Sequence, residues 1–111
     1  MFSLGNLPTT DEMIAADLGS HMHPFTDHDA LGPGDLRVIT SAEGVFINDS
    51  NGGQILDGMA GLWCVNIGYG RQEIGEAVSR QIAQLPYYNT FFKTTHPPVI
   101  VLSEKLAQLT P

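Results

Sequence analysis

Hydrophobic and polar positions alternate in different ways along this chain, and the changes of pattern mark its elements. Three short apolar runs lie close together: Arg37-Val38-Ile39-Thr40, Val45-Phe46-Ile47-Asn48 and Gln54-Ile55-Leu56-Asp57. Runs of this length, rich in β-branched residues, read as strands. Ser41-Ala42-Glu43-Gly44 turns the first into the second. Asp49-Ser50-Asn51-Gly52-Gly53 turns the second into the third, because Asn and Gly accept positive φ cheaply. The spacing predicts a small antiparallel meander. Beyond it the period lengthens. Ile74, Ala77, Val78, Gln81, Ile82 and Leu85 share one helical face over residues 71–85, and Pro86 ends that helix. A second stripe, Val99, Leu102, Leu106 and Leu109, follows Pro97-Pro98, where missing amides cost a helix little. Near the start, Thr9 or Thr10 can cap a helix whose first turn holds Asp11 and Glu12, where the helix dipole favours acids. Met13, Ile14, Asp17 and Leu18 continue it, and Gly19 is expected to end it. Residues 1–8 read as a loose lead-in, and residues 21–36 as irregular, broken by Pro24, Gly32, Pro33 and Gly34.

These elements divide the chain into an N-terminal helix (1–20), a meander with a glycine-rich loop (21–70), and two helices joined by an aromatic loop (71–111). The segment alone is α+β. At 111 residues there is room for one small domain. Two amphipathic stripes face only a three-stranded meander, and the second runs to Leu109 with no layer to cover it. The expectation is that the chain continues elsewhere.

Two loops carry more apolar surface than loops usually do. Residues 58–70 hold Gly58, Gly61, Gly68 and Gly70 around Leu62-Trp63-Cys64-Val65. The stretch has neither the Gly-Lys-Ser/Thr of a phosphate-binding P-loop nor a GxGxxG pattern. Either Trp63 packs into a core, or the glycines hold a rigid aromatic wall beside a ligand pocket. Tyr87-Tyr88-Asn89-Thr90-Phe91-Phe92 places four aromatics in six residues. Rings that crowded call for a partner element, a partner subunit or a ligand. One complete reading is a small self-standing interaction or binding domain that uses the aromatic loop 87–92 as its contact patch.

Charge and chemistry narrow the possibilities. The formal charge is −7, from 12 acids against 5 bases, which disfavours nucleic acid and anionic membranes as partners. In residues 1–60 Arg37 is the one base; Arg71, Arg80, Lys93 and Lys105 all lie later, which makes the second half the better host for an anion. Cys64 is a single thiol, suited to a reducing cytoplasm and unable to form an internal disulfide. The first residues lack the basic and apolar regions of a signal peptide, and no run approaches the ~20 apolar residues of a membrane span. His21, His23 and His28 stand near Asp27 and Asp29, at spacings that match no standard ligand frame. They read as solvated loop histidines, and no metal site is expected. His96 precedes Pro97 and reads as a helix-capping residue.

Several motifs occur together in order. They are His23-Pro24-Phe25-Thr26-Asp27, Ala42-Glu43-Gly44-Val45, Asp57-Gly58-Met59-Ala60-Gly61-Leu62-Trp63-Cys64-Val65-Asn66, Gly68-Tyr69-Gly70-Arg71, and Tyr88-Asn89-Thr90-Phe91-Phe92-Lys93-Thr94-Thr95-His96-Pro97. From about residue 20 onward this succession resembles the N-terminal part of the class III aminotransferases of the ω-amino acid:pyruvate and amine:pyruvate type. The resemblance implies an α/β enzyme of fold type I, dependent on pyridoxal 5'-phosphate and built as a homodimer or higher oligomer with its sites at the subunit interface. The substrates it implies are a small amine or ω-amino acid and pyruvate or a similar 2-oxo acid. By resemblance, Leu62 and Trp63 wall the substrate pocket, Phe25 forms a second wall, and Phe91 and Phe92 reach the site of the other subunit. The family's Schiff-base lysine, the aspartate on its pyridinium nitrogen, its Gly-Ser phosphate loop and its carboxylate-binding arginine are expected beyond residue 111. Lys93 and Lys105 match none of these, so no catalytic residue is expected in this segment, and in isolation it is expected to be inactive.

Overall fold

The computed structural model of the chain describes residues 8–110. The lead-in expected over residues 1–8 lies, apart from Pro8, outside the described residues. Two units are distinguished, residues 1–70 and residues 71–111.

The first unit opens with helix α1, Thr10–Ser20. Thr9 starts it with a capping box: its hydroxyl accepts the Glu12 amide at 3.4 Å, and the Glu12 carboxylate accepts the Thr9 amide at 2.9 Å. These bonds hold the Glu12 carboxyl below its usual range, the Thr9 backbone contributing most. Gly19 does not end the helix. It is absent from the glycines with positive φ, so it cannot act as a left-handed cap, and the helix runs on to Ser20. A single 3-10 turn, Pro33–Asp35, follows and packs on α1.

Three strands come next: β1 (Ile39–Glu43), β2 (Phe46–Asp49) and β3 (Gln54–Leu56), an antiparallel meander in the order β1-β2-β3. β1 extends through Ser41–Glu43, residues the sequence assigns to a turn. The reversal needs only Gly44 and Val45, because Gly44 sits at φ 59 in the first turn position and Glu43 pairs directly with Phe46. A bulge between Ile39 and Ser41 breaks the register. The second turn is tied by Asp49, whose carboxylate accepts the Gly53 amide at 2.7 Å and the Asn51 amide at 3.0 Å. Ala42, Ile47 and Ile55 lie on the half-buried face, while Phe46 and Leu56 are exposed. After β3 comes a one-turn element, α2 (Ala60–Trp63), where the sequence indicates only a loop.

The second unit holds α3 (Gln72–Gln84) and α4 (Pro97–Leu109). Arg71 pairs with Glu73 at the start of α3, and Pro97 and Pro98 form the first turn of α4 as expected. The two helices do not pack on each other.

Among the described residues no side chain is buried. Ile74, Val78 and Ile82 of α3 are about as open as Leu102 and Leu106 of α4. Helices draw most of their stability from tertiary packing of an apolar face, and a small domain must bury most of its apolar surface to stand alone. The missing core therefore weighs against the self-standing interaction domain. No described helix is long and apolar enough to cross a membrane.

Candidate functional site

The backbone sets most of the expected pocket residues apart. Six described non-glycine residues have positive φ: Phe25 (54), Ala60 (50), Leu62 (59), Trp63 (66), Phe92 (57) and Lys93 (67). Four of the five expected pocket residues are among them, with Phe91 the exception. A left-handed conformation costs a residue with a side chain about 1–2 kcal/mol. Such outliers cluster at sites where the backbone must aim a group against its own preference.

The densest group is α2, whose four residues all lie in the left-handed region, with Gly61 at φ 59, ψ 38 and Leu62 at φ 59, ψ 56. It is one turn of left-handed helix, closed by the Trp63 amide on the Met59 carbonyl at 2.9 Å and by the Val65 amide on the Ala60 carbonyl at 2.9 Å. A side chain at Gly61 would force its neighbours to shift. A Cβ would fall 2.9 Å from the Tyr69 hydroxyl oxygen and 2.9 Å from a Val65 methyl. Leu62 and Trp63 project outward from the turn, Trp63 at 77% exposure.

One carboxylate anchors this turn. Asp57 Oδ2 accepts the Tyr69 hydroxyl at 2.6 Å and the Gly61 amide at 2.7 Å, and Oδ1 accepts the Met59 amide at 3.1 Å. Both anchors are themselves fixed to the sheet. The Asp57 amide donates to the Val45 carbonyl at 2.9 Å, and Tyr69 and Gly44 exchange backbone hydrogen bonds at 2.8 and 3.2 Å. The Tyr69 hydroxyl, and after it the Gly61 amide, hold the Asp57 carboxyl below its usual range. In return the carboxylate pushes the Tyr69 phenol above 10.0. Neither residue stood out in the sequence as part of the site; a tyrosine twelve positions from its acceptor gives no local signal.

Phe25 sits on a separate turn, fully exposed at 108%. Its flanks are tied down: the Thr26 hydroxyl donates to the Pro24 carbonyl at 2.9 Å, and His28 Nε2 lies 3.0 Å from the His23 carbonyl. Behind it, Asp17 receives His21 Nδ1 at 2.9 Å and His23 Nε2 at 2.6 Å. His23 first, then His21, hold the Asp17 carboxyl low. The acid that converges on the histidines is thus Asp17, and not Asp27 or Asp29. The sequence expectation ended the helix at Gly19 and so hid the spacing of four between Asp17 and the His21 cap.

In the second unit Phe91 and Phe92 stand on one turn with centroids 6.2 Å apart at 54°. The Asn89 side chain accepts the Phe91 amide at 3.0 Å, and the Thr94 hydroxyl donates to the Phe91 carbonyl at 2.7 Å. Both rings are exposed, Phe92 at 92%. A cleft of about 180 Å³ lies nearby, but Tyr87, Tyr88, Leu85 and His96 line it, and neither phenylalanine does. The expected site residues therefore occupy three turns: Phe25 alone, Leu62 with Trp63, and Phe91 with Phe92. His96 is the N-cap residue of α4, as expected, and caps it through its backbone carbonyl with no side-chain hydrogen bond.

The Asp57–Tyr69 bond makes the turn pH-dependent in both directions. A lowered Asp pKa gives stability that is present above the unfolded carboxyl's pKa and is lost as pH falls through the folded value. A raised Tyr pKa gives stability that is present below 10.0 and is lost as pH rises through the folded value. Subtracting the phenolate absorbance titration of Tyr69→Phe from that of the parent chain isolates this phenol. It is expected to ionise above 10.0, and to move down in Asp57→Asn. Ionisation at or below 10.0, indifferent to Asp57→Asn, contradicts the bond.

Comparison with known proteins gives these turns a family. The family described as "Aminotransferase class-III" matches residues 31–111. Over 102 residues the chain is 52% identical to a putrescine–pyruvate aminotransferase of Pseudomonas aeruginosa, covering 92% of the chain and 22% of that protein. It is 36% identical to a β-alanine–pyruvate aminotransferase of the same organism, covering 94% of the chain and 22% of that protein. Among solved structures, an (S)-enantioselective ω-transaminase from Thermomicrobium roseum superposes with a TM-score of 0.89 at 40% identity, over 96% of this chain and 24% of that one. An ω-transaminase from Pseudomonas jessenii, solved in complex with PMP, superposes with a TM-score of 0.80 at 32% identity, over 89% and 22%. The chain spans about a fifth of the length of the curated relatives it matches, and it belongs to the class III aminotransferases.

Proposed function

We propose that this segment serves a transaminase that moves an amino group from an amine or ω-amino acid to pyruvate or a similar 2-oxo acid. Pyridoxal phosphate is the cofactor of that complete enzyme; the PMP complex of a structural neighbour supports this. The identity to a putrescine–pyruvate aminotransferase supports a small amine as donor. The residues of this chain do not by themselves hold the cofactor. Its aldehyde needs a lysine inside a walled site, whereas Lys93 and Lys105 are both exposed and neither lines the cleft beside Tyr87 and Tyr88. The role of the segment is to build walls. Leu62 and Trp63 bound the donor's substituent, and Phe25 faces it from the N-terminal side. The observation that carries this reading is the left-handed backbone at Phe25, Leu62, Trp63 and Phe92, which presents exposed side chains at a cost that packing within this segment does not explain. A cytoplasmic location fits the free, exposed Cys64.

Removing the Trp63 ring in the complete enzyme tests the wall. Trp63→Gly and Trp63→Ala are both expected to raise the rate with a bulky donor relative to a small one, by about tenfold or more. They should differ in stability: glycine relieves the positive φ at position 63 and alanine does not, so the glycine variant should melt higher. An unchanged donor ratio with a lowered melting temperature in both would make Trp63 a packing residue and sink the assignment.

The enzyme is proposed as a homodimer in which Phe91 and Phe92 complete the site of the partner subunit. Their support is two adjacent exposed rings on a hydrogen-bonded turn, a surface suited to an interface. Hybrid dimers separate action in trans from action in cis. One parent lacks the Schiff-base lysine; the other carries Phe91→Ala and Phe92→Ala. After dissociation and reassociation, one site of the hybrid regains both its lysine and the rings. Activity is expected to exceed the sum of the parents. A hybrid that forms and gives no gain places the rings in cis.

A further inference from the structure

The His21, His23 and Asp17 side chains are used by nothing in the proposed reaction, yet they converge. Asp17 lies in the last turns of α1 and His21 is its C-cap; the His21 amide donates to the Asp17 carbonyl, and its Nδ1 reaches the Asp17 carboxylate at 2.9 Å. His23, two residues past the cap, turns its Nε2 back to the same carboxylate. One ligand atom from each of the three lies within 4.8 Å of the others. The His21 and His23 rings are 4.3 Å apart and tilted by 46°, and each presents one nitrogen to the Asp17 carboxylate. We propose that Asp17, His21 and His23 bind a divalent transition-metal ion of the zinc type.

Two imidazoles and one carboxylate are a recurrent three-ligand set for zinc, and they leave a fourth position for water. Nitrogen donors favour zinc, nickel and copper over magnesium and calcium, which prefer an all-oxygen shell. In the metal-free arrangement a proton on each ring nitrogen bridges to Asp17. A cation takes the place of those protons, and the same carboxylate charge that attracts them attracts it. Zinc–nitrogen bonds of about 2.0–2.1 Å put tetrahedral ligand atoms roughly 3.3 Å apart. The two carboxylate–imidazole contacts, now 2.9 and 2.6 Å, must therefore open, while any wider ligand pair, within 4.8 Å, closes. His21 is exposed and His23 lies outside the helix, so ring rotations suffice. The backbone at His23 is already anchored, because His28 holds its carbonyl at 3.0 Å. Bound metal would staple the end of α1 to the strand of chain that leads through Pro24 to Phe25. Binding itself does not depend on what Phe25 does.

The test is a zinc titration of the complete, metal-stripped enzyme that carries this segment, read by calorimetry against a competing chelator. One zinc per subunit is expected, with no response to magnesium. His21→Ala and His23→Ala should each weaken binding at least tenfold, and Cys64→Ser should leave it unchanged. Cobalt in the unmutated protein gives a second reading that needs no variant. A four-coordinate spectrum without thiolate charge transfer is expected. No bound zinc, affinity indifferent to both histidine substitutions, or a thiolate band assigning the metal to Cys64 would each overturn the proposal.

Discussion

A turn of left-handed helix built from Ala60, Gly61, Leu62 and Trp63 runs against the preference of every residue in it except the glycine, and the Asp57 carboxylate is what lets it persist. That carboxylate gathers the Met59 and Gly61 amides and the Tyr69 hydroxyl onto one side chain. Through the Val45 carbonyl and the Gly44–Tyr69 bridge, the same bonds reach the meander. The three-stranded sheet thus has a use beyond its own slight stability. It is the frame against which Asp57 and Tyr69 fix the direction of Leu62 and Trp63. Gly61 sits at the crowded centre of the arrangement, where a Cβ would force its neighbours to shift.

The other two turns use the same device with different ties. Asn89 and Thr94 close the turn that presents Phe91 and Phe92. Thr26 and His28 close the turn that presents Phe25. In each, short polar side chains satisfy backbone groups locally, so the apolar rings are left free to face outward. A chain with no buried side chain among its described residues has little packing with which to aim a ring. Hydrogen bonds to local backbone do the aiming instead. In a class III aminotransferase such rings suit a pocket wall better than a core.

Much of the fold was legible because it follows from spacing. The stripe from Ile74 to Ile82, the Pro97-Pro98 helix start and the meander between Ile39 and Leu56 are all local patterns. Boundaries slipped where one residue's conformation decided them: Gly44 shortened the first hairpin, and right-handed Gly19 lengthened α1. Motif order identified the family and the candidate walls. What the sequence could not display were the residues that hold those walls, since Asp57 and Tyr69 meet only after the chain has folded back on Gly44. Asp17 was missed for a different reason. It lies on a helix and meets His21 and His23 across four and six positions, whereas Asp27 and Asp29 stand beside the histidines in sequence.

The claim on which this account turns is that Asp57 holds the Leu62–Trp63 turn. Amide hydrogen exchange in the complete enzyme, compared between the parent and Asp57→Asn, measures it directly. The Met59, Gly61 and Trp63 amides should exchange faster in the variant, on the order of tenfold at Gly61, while the Ala42–Ile47 pairing keeps its protection. Unchanged protection at Gly61 would contradict the account.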